Sequence, residues 1–276
     1  MEETPISNES HPCRAVVIGV PLDKNSSFLR GSAFAPLRIR EAFHSPSGNY
    51  SVETGVDLRT GDFWRDAGDI AFTTDVDDFV LIEQSISDLL QGGQRVLALG
   101  GDHSITYPIL RAFAKKYVQL TILHIDAHPD LYDVLDGNRF SHACPFARIM
   151  EAGLAQRLVQ VGIRAATPHQ RMQAERFGVE TIEMRHWDAA RTFEFSDPLY
   201  ISLDMDVLDP AFAPGISHYE PGGLSTRDVL NILQNVKADI VGADIVEFNP
   251  LRDPQGITAM VANKFFKEML ARMIEN

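Results

Sequence analysis

The chain has 276 residues, of which 45% are hydrophobic and 23% are charged, a composition typical of a folded globular protein rather than a disordered one. A formal net charge of -13 would repel a phosphate backbone, and no cluster of lysine and arginine offers a local exception, so we expect no nucleic-acid partner. No apolar stretch reaches the length of about 18 residues that a bilayer requires, so we expect no membrane partner.

The first ten residues, MEETPISNES, are acidic and polar and lack the apolar segment of a secretory signal. We therefore expect a cytoplasmic protein. Two cysteines, Cys13 and Cys144, are too few for a disulfide framework and lack zinc-type spacing. We expect one domain over residues 1–276, with residues 1–13 as a loose N-terminal tail.

The first part of the chain alternates regular and irregular segments. RAVVIGVPLD (14–23) predicts a central strand ended by a proline, and SAFAPLRIREAF (32–43) has helical spacing. Residues 44–75 are rich in Gly, Ser, Asp and Thr without a clear period, which predicts a long surface connection. DDFVLIEQSISDLLQGG (77–93) predicts an amphipathic helix that ends at glycine.

From residue 95 onward, apolar strand-like runs alternate with helix-like segments. Runs that are apolar on both faces and are separated by helices require a parallel sheet covered on both sides. We therefore predict an α/β fold, a three-layer α/β/α sandwich with a mainly parallel central sheet of about seven or more strands.

Functional groups in open parallel sheets gather just beyond the carboxyl ends of the strands. The run LALGGDHS ends in Gly100 and Gly101 and continues with Asp102 and His103. By itself this motif is equally compatible with a tight turn and a capping aspartate. The glycine pair matches neither of the phosphate-binding patterns GxGxxG and GxxxxGK[ST].

Two further strand ends carry closely spaced carboxylates. ILHIDAHPDLYD places Asp126, His128 and Asp130 at every second residue, and YISLDMDVLDP does the same with Asp204 and Asp206. A spacing of two directs strand side chains to one face. Because buried carboxylates without a counter-charge are strongly unfavourable, positive charge must lie between these clusters.

Two divalent cations would balance the four aspartates Asp126, Asp130, Asp204 and Asp206, with His103 and His128 as neutral nitrogen ligands. Oxygen-rich ligation without thiolate favours Mn²⁺, with Fe, Co or Ni as alternatives. Two metals about 4 Å apart can share a water and hold it as a nucleophilic hydroxide at neutral pH. The spacing thus predicts two Mn²⁺ per chain and a hydrolytic reaction.

The motifs GGDHS, DAHPD and SLDMDVLDP, in this order and spacing, resemble the ureohydrolases, the family of arginase and agmatinase. The match extends through SHACPFARIM, QVGIR, SHYEPGGLS and GADIVEFNP to TAMVA. The sequence is most similar to plant-type arginases and bacterial agmatinase-like proteins. The resemblance implies an arginase-like fold and release of urea from a small cationic guanidino substrate, L-arginine or agmatine, by a metal-bridging hydroxide. It also implies a homo-oligomer, a trimer or hexamer.

The same resemblance assigns the metal ligands to two sets that share two bridging aspartates. The first metal is expected to bind His103, Asp126, Asp130 and Asp204. The second is expected to bind Asp126, His128, Asp204 and Asp206.

Two catalytic positions follow from the same match. His142 in SHACPF corresponds to a loop histidine that carries protons to the leaving amine, and Glu247 in IVEFNP corresponds to the carboxylate that holds the guanidinium. From the residues alone, a lone loop histidine such as His142 is more often a surface residue, and an internal salt bridge of Glu247 with Arg164 or Arg252 is slightly favoured over a functional role. His124 is out of phase with the ligands, which favours a hydrogen-bonded core position.

The same motifs argue against several other functions. A metallophosphoesterase would add GDxxD and GNH[DE], which are absent, and a one-zinc deacetylase would lack His103 and Asp130 as ligands. A catalytically silent metal-binding subunit would not need both catalytic positions. Among ureohydrolases, Tyr132 stands where animal arginases have asparagine, and GIRAAT lacks their acidic pair. L-Arginine and agmatine are therefore both candidate substrates, followed by other guanidino or formimino compounds.

Overall fold

The computed structural model describes residues 13–60 and 62–275, so most of the predicted tail, residues 1–12, lies outside the described residues. Within these ranges the strands are β1 (Ala15–Val20), β2 (Trp64–Asp69), β3 (Arg95–Gly100), β4 (Thr121–Ile125), β5 (Arg157–Ile163), β6 (Glu180–Glu183), β7 (Leu199–Asp204) and β8 (Ile240–Val246). They form one sheet in the order β2-β1-β3-β8-β7-β4-β5-β6. All of their pairings are parallel.

Helices cover both faces of this sheet. They are α1 (Ala35–Phe43), α2 (Asp78–Gln91), α3 (Thr106–Ala114), α4 (Pro145–Glu151), α5 (Pro168–Phe177), α6 (Thr226–Asn235) and α7 (Ile257–Glu275). One apolar core joins the sheet to α1, α6 and α7, and a second joins it to α2, α3 and α4. The predicted three-layer α/β/α sandwich is confirmed.

Local sequence explains where several helices begin. Asp77 caps α2 by accepting the backbone N–H groups of Phe79 and Val80. Thr167 and Gln170 form a reciprocal capping box at the start of α5, in which each side chain bonds the other residue's backbone N–H. Such boxes satisfy N–H groups that have no partner inside the helix.

The prediction of a continuous surface connection over residues 44–75 is wrong, because this segment contains β2. The strands β2 and β6 form the two edges of the sheet and are mostly exposed. Their sequences, WRDAGD and ETIE, therefore lack the apolar run by which central strands are identified. The long helix α7 is buried around most of its circumference, so it too lacks a simple amphipathic pattern.

The strand order brings the chemically unusual strand ends together. Leu99 of β3 pairs with Ile245 of β8, which pairs with Leu203 of β7, and Leu203 pairs with Ile125 of β4. Four adjacent strands therefore end at one level of the sheet. The residues that follow them meet at a single edge, as expected for open parallel sheets.

Candidate metal centre and cleft

The first group of candidate ligands converges on one nitrogen of His103. Its Nδ1 lies 3.1 Å from Asp130 Oδ2, 3.1 Å from Asp204 Oδ2 and 3.3 Å from Asp126 Oδ2. None of these contacts has hydrogen-bonding geometry, so the buried Nδ1 has no hydrogen-bond partner. One ring nitrogen surrounded by three carboxylate oxygens is a donor set suited to a divalent cation.

A second group lies beside the first. His128 Nδ1 is 3.0 Å from Asp206 Oδ2 and 3.6 Å from Asp126 Oδ1, and the potential ligand atoms of these three residues lie within 4.8 Å of one another. Asp126 therefore presents Oδ2 to the first group and Oδ1 to the second. The Oδ2 atom of Asp204 faces the first group, while its Oδ1 accepts the backbone N–H of Asp206 at 2.7 Å.

Gathering these carboxylates has an electrostatic cost. Burial and the negative charges of Asp206 and Asp126 raise the pKa of Asp204 well above its ordinary value, and burial also raises the pKa of Asp206. Burial would raise the pKa of Asp126 too, but the nearby histidines, His124 first, hold it well below the ordinary value. Bound cations would remove this repulsion, since they favour the charged form of every carboxylate.

His124 lies close enough to be considered a ligand. Its candidate ligand atom lies within 4.8 Å of those of His103 and Asp126. However, His124 Nε2 is 2.7 Å from Asp126 Oδ2, and Nδ1 is 3.0 Å from Gln160 Nε2. Both ring nitrogens thus have hydrogen-bond partners, and the ring stacks on Phe146, as expected for a residue that supports a ligand from behind.

The backbone is unusual at two of the predicted positions. Asp130 and Glu247 adopt positive φ angles of 49° and 62°, a left-handed conformation that costs a non-glycine residue roughly 1–3 kcal/mol and often marks functional sites. Close backbone packing also surrounds Gly101, where a Cβ atom would lie 1.9 Å from the carbonyl oxygen of Leu22. A side chain at Gly101 would therefore displace the turn that carries His103.

His142 and Glu247 form a buried pair next to the ligand cluster. His142 Nδ1 lies 2.9 Å from Glu247 Oε1, which also accepts the backbone N–H of His103 at 2.9 Å. His142 Nε2 lies 2.8 Å from the hydroxyl of Ser27. Burial alone would lower the pKa of His142, but the charge and hydrogen bond of Glu247 raise it to about 9 from an ordinary 6.5.

Neither arginine considered as a partner for Glu247 contacts it. Arg164 donates to backbone carbonyls, among them those of Asp206 and Glu220. Arg252 lies over the ring of Tyr219. The simple internal salt bridge that the sequence left open is therefore not formed.

A cavity of about 210 Å³ opens onto both the ligand cluster and this pair. Of the predicted residues it is lined by His128, Asp130, His142, Asp204, Asp206 and Glu247. Ser27, Gln170 and His218 also line it. No motif marks Ser27 or Gln170, and His218 lies in the matched segment SHYEPGGLS. His103 and Asp126 lie behind the wall, fully buried.

Comparison with known proteins agrees with this geometry. Residues 13–271 match the Arginase family. The chain belongs to the arginase family. Arginase 1, mitochondrial, of Arabidopsis thaliana is 51% identical over 274 residues, covering 93% of this chain and 80% of that protein. The agmatinase of Bacillus anthracis is 34% identical, covering 95% of this chain and 94% of its own.

A solved structure shows the same arginase fold. The arginase from Medicago truncatula superposes with a TM-score of 0.91 at 47% sequence identity, covering 95% of this chain and 88% of that one. Membership of the arginase family makes the protein a ureohydrolase, an enzyme of a metal-dependent family whose substrates are small guanidino compounds. No helix among the described residues is long and apolar enough to cross a membrane.

The expectation of a cytoplasmic location is wrong by this comparison. The arginase-family relatives from Arabidopsis thaliana and Medicago truncatula are named mitochondrial, and a further Arabidopsis thaliana relative is named chloroplastic/mitochondrial. The prediction rested on the composition of the first ten residues, which carries no information that separates the cytoplasm from an organelle.

Proposed function

We propose that the protein is an arginase that releases urea from L-arginine with two Mn²⁺ per chain. The observation that carries the proposal is the convergence of three carboxylates on the partnerless Nδ1 of His103, beside a cavity that holds a second carboxylate-histidine pair. The donor set fits a hard or borderline divalent cation, and no thiolate is present in it.

The two metals are assigned to the residue groups described above. His103, Asp126, Asp130 and Asp204 would hold one cation, and Asp126, His128, Asp204 and Asp206 would hold the other. When bound, such a pair supplies Lewis-acid activation of water for attack on the guanidinium carbon. Four carboxylates and two divalent cations together carry no net charge, which makes their joint burial acceptable.

Glu247 is proposed to orient the guanidinium of the substrate. Its Oε1 atom is held by His142 and by the backbone of His103, so the carboxylate is fixed in the cavity wall before substrate arrives. A planar cation with several N–H donors is a suitable partner for such a carboxylate. Because the orientation is set in advance, little conformational freedom has to be lost on binding.

His142 is proposed to supply the proton that the leaving amine needs. Glu247 stabilises the protonated ring through Nδ1, and Nε2 contacts the exposed hydroxyl of Ser27. A histidine positioned at a cleft in this way is a suitable general acid. His142 does not contact any predicted metal ligand through a hydrogen bond among the described residues, in agreement with a role other than ligation.

The outer wall of the cavity favours arginine over agmatine. Beyond Glu247 and the predicted ligands, the described lining consists of neutral or titratable non-acidic residues such as Ser27, Tyr132 and Gln170. The head group of arginine carries one positive and one negative charge, whereas agmatine carries an unbalanced ammonium. Burying that ammonium without a carboxylate partner would be unfavourable. The greater identity to plant arginases than to the bacterial agmatinase points the same way.

A urea-release assay on the Mn²⁺-loaded protein tests the proposal, with arginine, agmatine and a formimino compound as parallel substrates. We expect the largest kcat/KM with arginine. A larger kcat/KM with agmatine than with arginine would identify the protein as an agmatinase. Agmatinase is the second candidate function, which the Bacillus anthracis relative supports. Absence of urea from every guanidino substrate would refute the function.

We also propose that residues 1–276 form a single domain and that the protein assembles as a homo-oligomer, a trimer or hexamer. Size-exclusion chromatography with light scattering gives the mass directly. The 30.7 kDa chain should elute as a defined multiple, and a monomer at working concentration would reject the assembly.

A further inference from the structure

A fully buried carboxylate lies behind the first group of candidate ligands. Asp244 of β8 is 0% exposed and accepts hydrogen bonds from three neutral hydroxyl groups. Ser202 Oγ lies 2.7 Å from Oδ1, while Tyr200 OH and Thr106 Oγ1 each lie 2.8 Å from Oδ2. No ion pair with Asp244 is formed among the described residues. A buried carboxylate without a cation is costly, so its retention calls for a physical explanation.

The hydrogen bonds around Asp244 have a fixed direction. Ser202 has a single hydroxyl proton, and it donates that proton to Asp244. The Ser202 oxygen can then only accept from its other neighbour, His103 Nε2, at 3.0 Å. His103 must therefore carry a proton on Nε2.

This direction has a consequence on the other side of the ring. Because Nε2 keeps its proton for Ser202, Nδ1 is the nitrogen that can offer its lone pair to a cation among the carboxylates of Asp126, Asp130 and Asp204. Nδ1 makes no hydrogen bond that would compete with a metal for this nitrogen. A neutral nitrogen with a free lone pair is the form that a metal requires.

We propose that Asp244 and Ser202 are positioning residues that lock His103 in the Nε2–H tautomer and so prepare the first cation site. The inference rests on the proposed metal function, but the bond from His103 Nε2 to Ser202 is present without metal. His128, the histidine of the second group, has a side chain that is 24% exposed and has no comparable buried acceptor at Nε2 among the described residues. Asp244 and Ser202 therefore act on only one of the two proposed cation sites, the one that contains His103.

The first test is the tautomer of the neutral His103 ring, measured on the full metal-free chain at alkaline pH by long-range ¹H–¹⁵N correlation with ¹⁵N-histidine. The His103 signals are assigned by their loss in His103→Asn. The wild type should show a single Nε2–H form, and Ser202→Ala should show a mixture or the Nδ1–H form. Tyr200→Phe is the matched control, because it removes a hydrogen bond to the same carboxylate without touching the path to His103. It should match the wild type.

The second test is Mn²⁺ binding, measured by equilibrium dialysis against limiting free metal. Removing a hydrogen-bond partner behind a metal ligand lowers metal affinity about 10- to 100-fold. Ser202→Ala should weaken one of the two binding classes by that factor and leave the other unchanged, while Tyr200→Phe should leave both unchanged.

Two results would overturn the inference: an Nδ1–H tautomer at His103 in the wild type, or wild-type Mn²⁺ binding by Ser202→Ala. The first of these does not depend on Ser202→Ala, so a failure of Ser202→Ala to fold would not prevent a decision. If the tautomer and dialysis results hold but no urea is released from any guanidino substrate, the arginase proposal fails and the positioning role stands.

Discussion

Replacing Glu247 by glutamine removes one negative charge from the cavity wall while keeping the shape of the side chain. In the wild type, Oε1 of Glu247 holds both His142 Nδ1 and the backbone N–H of His103, each at 2.9 Å. The glutamine carbonyl can accept the same two bonds, so we expect the fold and the metal content to be preserved. The guanidinium, however, would face a neutral amide in place of a carboxylate.

The expected loss follows from the strength of these bonds. A hydrogen bond to a charged group contributes about 1.5–3 kcal/mol, roughly twice a neutral one. Because the glutamine carbonyl is occupied by His142 and the N–H of His103, its NH2 group faces the guanidinium and cannot accept from it. Substitution should therefore remove about 1.5–3 kcal/mol, a factor of about 10 to 100, for the bond to the substrate. Because the same contact orients the carbon under attack, the total decrease in kcat/KM should reach about 100-fold.

The variant should also change the pH profile. Burial opposes the protonated form of His142, and the Glu247 carboxylate is the main cause that raises its pKa to about 9. Without that charge the pKa falls, so the protonated histidine is lost at a lower pH. We expect the alkaline limb of kcat to move towards acid in Glu247→Gln.

Urea release from arginine, measured from pH 6 to 10 with metal content determined in parallel, gives both quantities. Wild-type kcat/KM in Glu247→Gln would refute the guanidinium contact. An unmoved alkaline limb would show that His142 does not supply the proton. Loss of metal would show that Glu247 is a ligand, against the assignment.

Three further predictions follow from the site. Asp126→Ala should lose both metals by elemental analysis, because Oδ1 and Oδ2 face different groups; retention of either metal contradicts the bridging role. His142→Ala should lower kcat with both metals bound, and a fall in metal content would make His142 a ligand. Gln170→Glu should keep the capping bonds with Thr167, but a charge on this buried side chain should lower the melting temperature of the substrate-free protein. The added charge should raise the agmatine-to-arginine ratio of kcat/KM about fivefold, for about 1 kcal/mol of ion pairing; an unchanged ratio would show that the wall near Gln170 does not select the head group.

Spacing in the sequence determined the features that depend on neighbouring residues. Apolar runs between helices were sufficient for the parallel α/β/α sandwich, because a sheet buried on both faces leaves no polar alternation. The alternation of Asp126, His128 and Asp130 after such a run predicted a convergent cluster. The edge strands β2 and β6 were not predicted, because their side chains face solvent and their sequences lack the apolar run of a buried strand.

Contacts between distant parts of the chain were decided only by the tertiary structure. The pairs Glu247–His142 and Ser27–His142 are separated by 105 and 115 residues, and they meet because β1, β3, β8, β7 and β4 are consecutive in the sheet. The same order places Asp244 behind His103 through Ser202. Strand order depends on the packing of whole layers and not on local propensity, so no segment of the sequence contains it.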